Sequence, residues 1–433
     1  MRTLYALVFS ALTLVPLTAS AQESQLAALR AAGRDGASTL RLGRALRRAG
    51  RFDEAVRTLQ GVREPALRPD ALWEVARVRF DQGVFQPARA ACMAFPSSRT
   101  NPALALNQHV CMARAYLIWN RVALAERSIT AARAINPNDP MLQLVIADSR
   151  RLASDLPGAE AAYHTAATAM PGRAEPLVGL GQLFEMFQQL DRAQDHYTQA
   201  LAAEPDDPTA LLAAGRFLLR RRERPADAAP LLRRAVDARP HWPEALALYG
   251  EAVDATGAHD DALRALQEAA QLAPTQPGVQ SALGRTLVAM GRYPEAEVPL
   301  RRAIQLVATD AGAHAALADL LEHTQREPEA MTAWDAAIDR SPGDMTPRLR
   351  AAELAHRTHQ NALARAYLDR VLADDPNSAR ALYLRGLTAA EDGDRAGARQ
   401  FLDQALHGVG EIDREAVQRL IRELDAPVRT RRR

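Results

Sequence analysis

The stretch LGRTLVAMGRYPEAEVPLRRA, residues 283–303, decides the fold. Leu283, Gly284 and Leu287 fall on one face of a 3.6-residue helix, and Tyr293, Ala296, Leu300 and Ala303 fall on one face of a second. Gly291 marks the turn between them. Pro294 stands in the first turn of the second helix, where its missing N–H costs nothing. Gly284 and Ala296 are small where the two helices must approach closely. One such hairpin cannot bury both apolar faces by itself, so the decisive question is whether it recurs.

It recurs with a period of 34. A small residue returns as Gly43, Ala76, Ala113, Ala147, Gly181, Gly215, Gly250, Gly284, Ala318, Ala352 and Gly386. The steps are 34 apart from one of 33, one of 37 and one of 35. Twelve residues further on, or thirteen once, stand Ala55, Ala88, Ala125, Ala159, Ala193, Ala228, Ala262, Ala296, Ala330, Ala364 and Ala398. Eleven alanines at one phase are the mark of close-packed helical hairpins. Pro137, Pro171, Pro205, Pro240, Pro274, Pro342 and Pro376 close successive repeats, with Ala308 the exception within that run. Pro157, Pro225, Pro294 and Pro328 open second helices, and Gly50, Gly83, Gly257, Gly291 and Gly393 mark turns inside hairpins.

On these residues, and on Leu180-Gly181, Phe184, Ala193, Tyr197, Ala200 and Pro205 in particular, the chain resembles the tetratricopeptide repeat family. The resemblance implies an all-α, right-handed superhelical solenoid of about eleven hairpins with capping helices, whose first helices line a concave groove for a partner protein. It is weakest in the second and third repeats, where the 37-residue step implies an insertion around Pro96 to Leu104. The solenoid is expected over residues 36–410, between an N-terminal capping helix in 22–35, carrying Leu26 and Leu29, and a C-terminal one in 411–425, carrying Val417, Leu420, Ile421 and Leu424. An Arg-rich tail, residues 426–433, follows.

The first 21 residues read as a secretory signal. Arg2 precedes an apolar run from Leu4 to Leu17, too short to span a bilayer as a helix, and Ala19-Ser20-Ala21 supplies the small residues a signal peptidase requires. No Cys follows that site, which disfavours a lipid anchor. The expectation is an exported chain, periplasmic or secreted, with no transmembrane segment after processing. Cys92 and Cys111 fall in the second helix of the second repeat and the first helix of the third, adjacent elements of a solenoid. They are either a disulfide stapling the irregular junction or two small buried apolar side chains.

Composition narrows the function. The chain is 48% hydrophobic but 5% aromatic, which favours close-packed helices over sheets. All 54 basic residues are Arg. Setting aside Arg2 and the four Arg of the last five positions leaves 49 Arg against 52 acids. The body is slightly acidic and has no continuous basic stripe, so nucleic acid is not an expected partner. Catalytic groups do not converge in sequence. Gly179-Leu180-Gly181 lacks a preceding strand, no nucleophile elbow occurs, and no Lys exists for a phosphate loop. His356 and His359 have ligand-like spacing but no third ligand, and His314 and His323 read as surface or groove histidines. No cofactor, metal or enzymatic activity is expected.

The expected groove lining is Arg114, Asp148, Gln182, Arg216, Glu251, Arg285, Asp319 and Glu353, one residue from each of eight successive first helices, weighed against a merely solvated face. The Lys and Asn positions by which relatives clamp a terminal carboxylate, and the Asn ladder of others, are replaced here by Gly179, Ala213, Leu248, Ala282, Ala316 and Arg350. A charge-patterned groove favours a folded or helical protein partner. Arg220, Arg221, Arg222 and Arg224 form a possible anion-binding cluster, read against solvation by Glu223 and Asp227. The leading expectation is a non-enzymatic scaffold of the cell envelope, serving assembly of an envelope or export complex. The alternatives are a holdase-type chaperone and a non-catalytic subunit of a periplasmic enzyme.

Overall fold

Proline and a left-handed turn residue set the lengths of the helices. In the computed structural model, which describes residues 19–33, 35–82, 85–95 and 101–425, the seven repeat-closing prolines each lie two residues beyond a helix end. The turns inside the hairpins each contain one residue with φ near +60° to +90°: Gly50, Asn120, Ser154, Gln188, Glu223, Gly257, Gly291, Gln325, His359 and Gly393. Six of these ten are not glycine, which is why a search for Gly finds only part of the series. Gly83 lies outside the described residues.

The chain divides into two compact units, residues 1–258 and 259–433. In unit 1, α1 (Ala19–Ala31) precedes six hairpins: α2/α3 (Gly36–Arg48, Phe52–Gln60), α4/α5 (Arg68–Asp81, Phe85–Met93), α6/α7 (Pro102–Ile118, Val122–Ile135), α8/α9 (Pro140–Leu152, Leu156–Ala169), α10/α11 (Ala174–Met186, Leu190–Ala203) and α12/α13 (Pro208–Arg220, Pro225–Ala238). It ends with α14 (Pro243–Asp254). Unit 2 opens with α15 (His259–Leu272) and continues as α16/α17 (Pro277–Ala289, Tyr293–Leu306), α18/α19 (Ala311–His323, Glu327–Arg340), α20/α21 (Met345–Arg357, Asn361–Asp374) and α22/α23 (Ala379–Glu391, Arg395–His407). The last helix is α24 (Arg414–Asp425). Among the described residues there is no strand, only an isolated bridge between Ser378 and Val409.

Both sequence ladders are buried. All eleven alanines of the second helices are 0% exposed. Gly43, Gly181, Gly215, Gly284 and Gly386 have no room for a side chain; an added Cβ would come within 2.4 Å of Leu59 at Gly43 and of Leu300 at Gly284. These contacts reveal a third ladder, sixteen residues on from the first or seventeen once: Leu59, Cys92, Ile129, Tyr163, Tyr197, Leu232, Leu266, Leu300, Trp334, Leu368 and Leu402, all buried. Leu59, Tyr197, Leu232, Leu300 and Leu402 fill the space left by the glycine of their own hairpins.

Cys92 occupies the third-ladder position of the second hairpin, and it is bonded to Cys111 on α6 across a Cα separation of 5.4 Å. Of the two readings open at the sequence, the disulfide is the one that holds. The caps differ slightly from expectation. Helix α1 begins at Ala19 rather than beyond residue 22, with Leu26 buried against unit 1, while α24 buries Val417 and Ile421 as expected. The apolar run of the expected signal and the Arg-rich tail lie outside the described residues.

Candidate functional site

The expected groove residues all stand one position after the small residue of a first helix, and most are engaged within the chain. Asp148 accepts from the Tyr163 hydroxyl at 2.5 Å and faces Arg151 at 3.5 Å. Burial, and after it the Asp148 charge, push the Tyr163 phenol well up. Arg216 faces Glu244 at 3.7 Å, Glu251 pairs with Arg220, and Arg114 pairs with Glu175. In unit 2, Asp319 pairs with Arg350, which also lies 3.6 Å from Glu353, and Glu353 accepts from Arg380. Arg285 is exposed and Gln182 half-buried. Five of the seven charged residues therefore staple one repeat to another. Of the residues that complete the pairs in unit 2, Arg350 occupies a ladder position already named in the sequence, two before Ala352, whereas no sequence signal marks Arg380.

In unit 1 the same face is closed by ions across distant repeats. Arg239, at the end of α13, donates to Asp81 on α4 at 3.2 Å across 158 residues of sequence. Its guanidinium lies over Trp242 at 4.4 Å and over Phe52 at 5.6 Å. Gly50, in the left-handed region, permits this approach, since a Cβ there would stand 2.9 Å from the Arg239 side chain. Arg47 joins Asp81 at 2.9 Å, and Glu74, 3% exposed, draws Arg44 at 3.0 Å and Arg77 at 3.6 Å. Glu175 on α10 completes the set, paired with Arg114 and 3.9 Å from Arg77. Burial acts to raise the Glu175 carboxyl, but Arg114 and then Arg77 outweigh it and hold the group down at about 2. Burial likewise acts to lower Arg114, and Glu175 with Asp148 reverses the sign. Arg44 and Arg77 share the phase of Arg114, one position after Gly43 and Ala76, so that signal was present in the sequence. The pairing across 158 residues was not.

The Arg cluster of the sixth repeat does not converge. Arg220 goes to Glu251, Arg221 lies 3.5 Å from Glu185, Arg222 pairs with Asp191, and Arg224 donates to Asp227 at 2.7 Å. Four separate carboxylates replace the shared anion site that adjacency in sequence suggests, because the turn splays successive side chains apart. The histidines differ from expectation too. Helix α20 ends at Arg357, so His359 lies in the left-handed turn and does not share a helical face with His356. Glu391 approaches both, at 3.5 and 3.9 Å. Among the described residues no group of three or more ligating side chains is arranged to hold a metal ion. His314 is buried, its Nε2 3.2 Å from the Ala308 carbonyl at the repeat end that lacks proline, and His323 stacks on Tyr293.

Models of the tetratricopeptide repeat match residues 40–99, 178–241 and 349–413 in one form and 219–286 and 255–320 in another. The chain is a tetratricopeptide-repeat protein. Repeats of this family are protein-interaction modules and typically non-catalytic scaffolds. No curated protein matches the sequence. Among solved structures, similarity extends to a tetratricopeptide repeat protein from Parabacteroides merdae, 18% identical, with 58% of this chain and 99% of that one covered and a TM-score of 0.44. It extends also to the Cut9 and Hcn1 hetero-tetramer of APC/C, at 14% identity, 94% and 86% coverage and a TM-score of 0.49. YrrB, described as having an unusual peptide-binding site, is 23% identical over 43% of this chain and 95% of its own, with a TM-score of 0.36. No described helix is long and apolar enough to cross a membrane.

Proposed function

We propose that this repeat protein is a non-enzymatic scaffold of the cell envelope that docks a partner protein on the first helices of unit 2. The observation that carries the reading is the run of charges at one phase on α16, α18 and α20, namely exposed Arg285, then Asp319 and Glu353 with their partners Arg350 and Arg380. Ion pairs on an open face exchange partners at little cost, because a surface pair is worth only about 0–1 kcal/mol. A partner with complementary charges gains steering and specificity from such a face. In unit 1 the same phase on α2 to α6 is taken up by the pairs around Glu74 and Glu175, while further on Arg216 pairs with Glu244 and Glu251 with Arg220. The Cys92–Cys111 bond supports an oxidising compartment, in line with the signal-like N-terminal residues.

Photo-crosslinking in cells from Arg285, Asp319 and Glu353, with Gln182 in unit 1 as comparison, tests the reading. One dominant protein trapped from the three unit 2 positions is the expected result. Trapping of many unrelated exported chains would replace the scaffold by a chaperone. A cytoplasmic, fully reduced chain on fractionation would remove the envelope assignment.

A further inference from the structure

The interior of unit 1 holds more than the ion pairs that close it. A cavity of about 100 Å³ is walled by Arg47, Arg48, Arg77, Arg114, Arg173 and Arg239. Three guanidinium nitrogens on these walls, Arg47 Nε, Arg114 Nη1 and Arg239 Nε, are buried and make no hydrogen bond. The Arg239 side chain is only 6% exposed. Arg47 Nε lies 3.4 Å from Glu74 Oε2 without hydrogen-bond geometry, and that oxygen too has no donor. An unmade hydrogen bond at a buried polar group costs about 1–3 kcal/mol, and more at a charged one. Three such donors around one cavity therefore point to an absent acceptor.

The number and charge of the donors define that acceptor. Three unpaired N–H groups on three separate residues are met from three directions by the oxygens of a tetrahedral oxyanion, whereas the acceptor sites of a carboxylate all lie in one plane. The walls also carry Asp81, Glu175, Glu204 and Asp207, four carboxylates against six guanidiniums, leaving two positive charges in excess. We propose that unit 1 binds a phosphate-class oxyanion in this cavity, held by Arg47, Arg114 and Arg239. Burial, and after it the neighbouring Arg47, lower Arg77 from the usual guanidinium value, and burial lowers Arg239 despite Asp81. A second cavity, about 450 Å³ and lined in part by Leu26 and Leu29, has Arg48 and Pro208 in its wall in common with the first.

The test is titration of the full chain with inorganic phosphate and, separately, phenyl phosphate at constant ionic strength, read by calorimetry and by melting temperature. One saturable site per chain and a melting temperature that rises with ligand are expected. Saturation by both ligands, in competition, assigns a phosphomonoester head group; saturation by inorganic phosphate alone assigns the free ion. Arg239→Gln should weaken binding by about tenfold or more, as loss of a charged hydrogen bond requires. Glu204→Gln keeps an acceptor for the Ala174 amide but removes a negative wall charge, and should tighten binding about threefold. A merely structural disturbance of the cavity weakens binding in both variants, so the opposite sign guards against misfolding of the first. Absence of saturable binding by the unmodified chain below about 10 mM, or no change in either variant, would overturn the proposal in favour of a water-filled cavity. The outcome is independent of whether unit 2 docks a protein.

Discussion

At Ala296 the whole repeat reduces to one absent side chain. It is fully buried between the helices of its hairpin, with Leu300 one turn on filling the space opposite Gly284. Ala296→Leu should overpack that contact and cost on the order of 1–3 kcal/mol, measured by denaturant unfolding. Backbone conformation sets the second residue-scale expectation. Gln325 sits at φ +60 in the α18/α19 turn, where Gly291 serves the preceding hairpin. Gln325→Gly relieves a left-handed conformation that costs about 1–2 kcal/mol and adds about 0.4–1 kcal/mol of chain entropy to the unfolded state. The net gain, on the order of 0.5 kcal/mol, should raise the melting temperature. These turns were only half legible because any side chain that tolerates the conformation can replace glycine. The alanine ladder was wholly legible because nothing larger fits.

The hairpin is the element on which the disulfide acts. Cys92 and Cys111 are 19 residues apart and join α5 to α6 across the junction where the repeat length departs from 34. Closing a loop of that length restricts the unfolded chain, a contribution of about 3 kcal/mol in the loop-entropy account. Reduction, or the paired substitution Cys92→Ser with Cys111→Ser, should lower the stability of unit 1 by about that amount. Amide exchange should rise first in α4 to α7 and leave unit 2 unchanged, because the helices joined by the bond pack chiefly on α4, α7 and α8. Equal loosening of α16 to α23 would contradict this. The pairing itself stood open in the sequence, since spacing alone cannot place two Cα atoms within bonding distance.

Across the whole molecule, charges decide what hydrophobic periodicity leaves open. Each unit has its own buried core, including Tyr163, Phe184 and Phe217 in one and Leu300, Leu317 and Trp334 in the other. Unit 1 adds the ionic closure from Arg47 and Asp81 to Arg239 and from Arg114 to Glu175. The Glu175 carboxyl drops from 4.5 to about 2 on folding. A lowered carboxylate contributes stability that is complete above its unfolded value and is lost as pH falls through its folded value. Denaturant midpoints of unit 1 should therefore decline between about pH 4.5 and 2. Glu175→Gln should be less stable at neutral pH and show a shallower acid dependence over that window. An unchanged slope would mean that another carboxylate governs acid unfolding.

The residues alone determined the helical hairpins, their period, their small and proline positions and their number, because every one of those constraints acts within about forty residues of chain. The same phase rule located Arg114, Asp148, Arg285 and the other groove positions on their helices. Only the tertiary structure decided which of those charges meet. Arg239 reaches Asp81, and Arg114 skips a repeat to reach Glu175, because small rotations between successive hairpins accumulate into curvature. Such rotations come from the packing of many side chains at once, and no short pattern in the sequence encodes their sum.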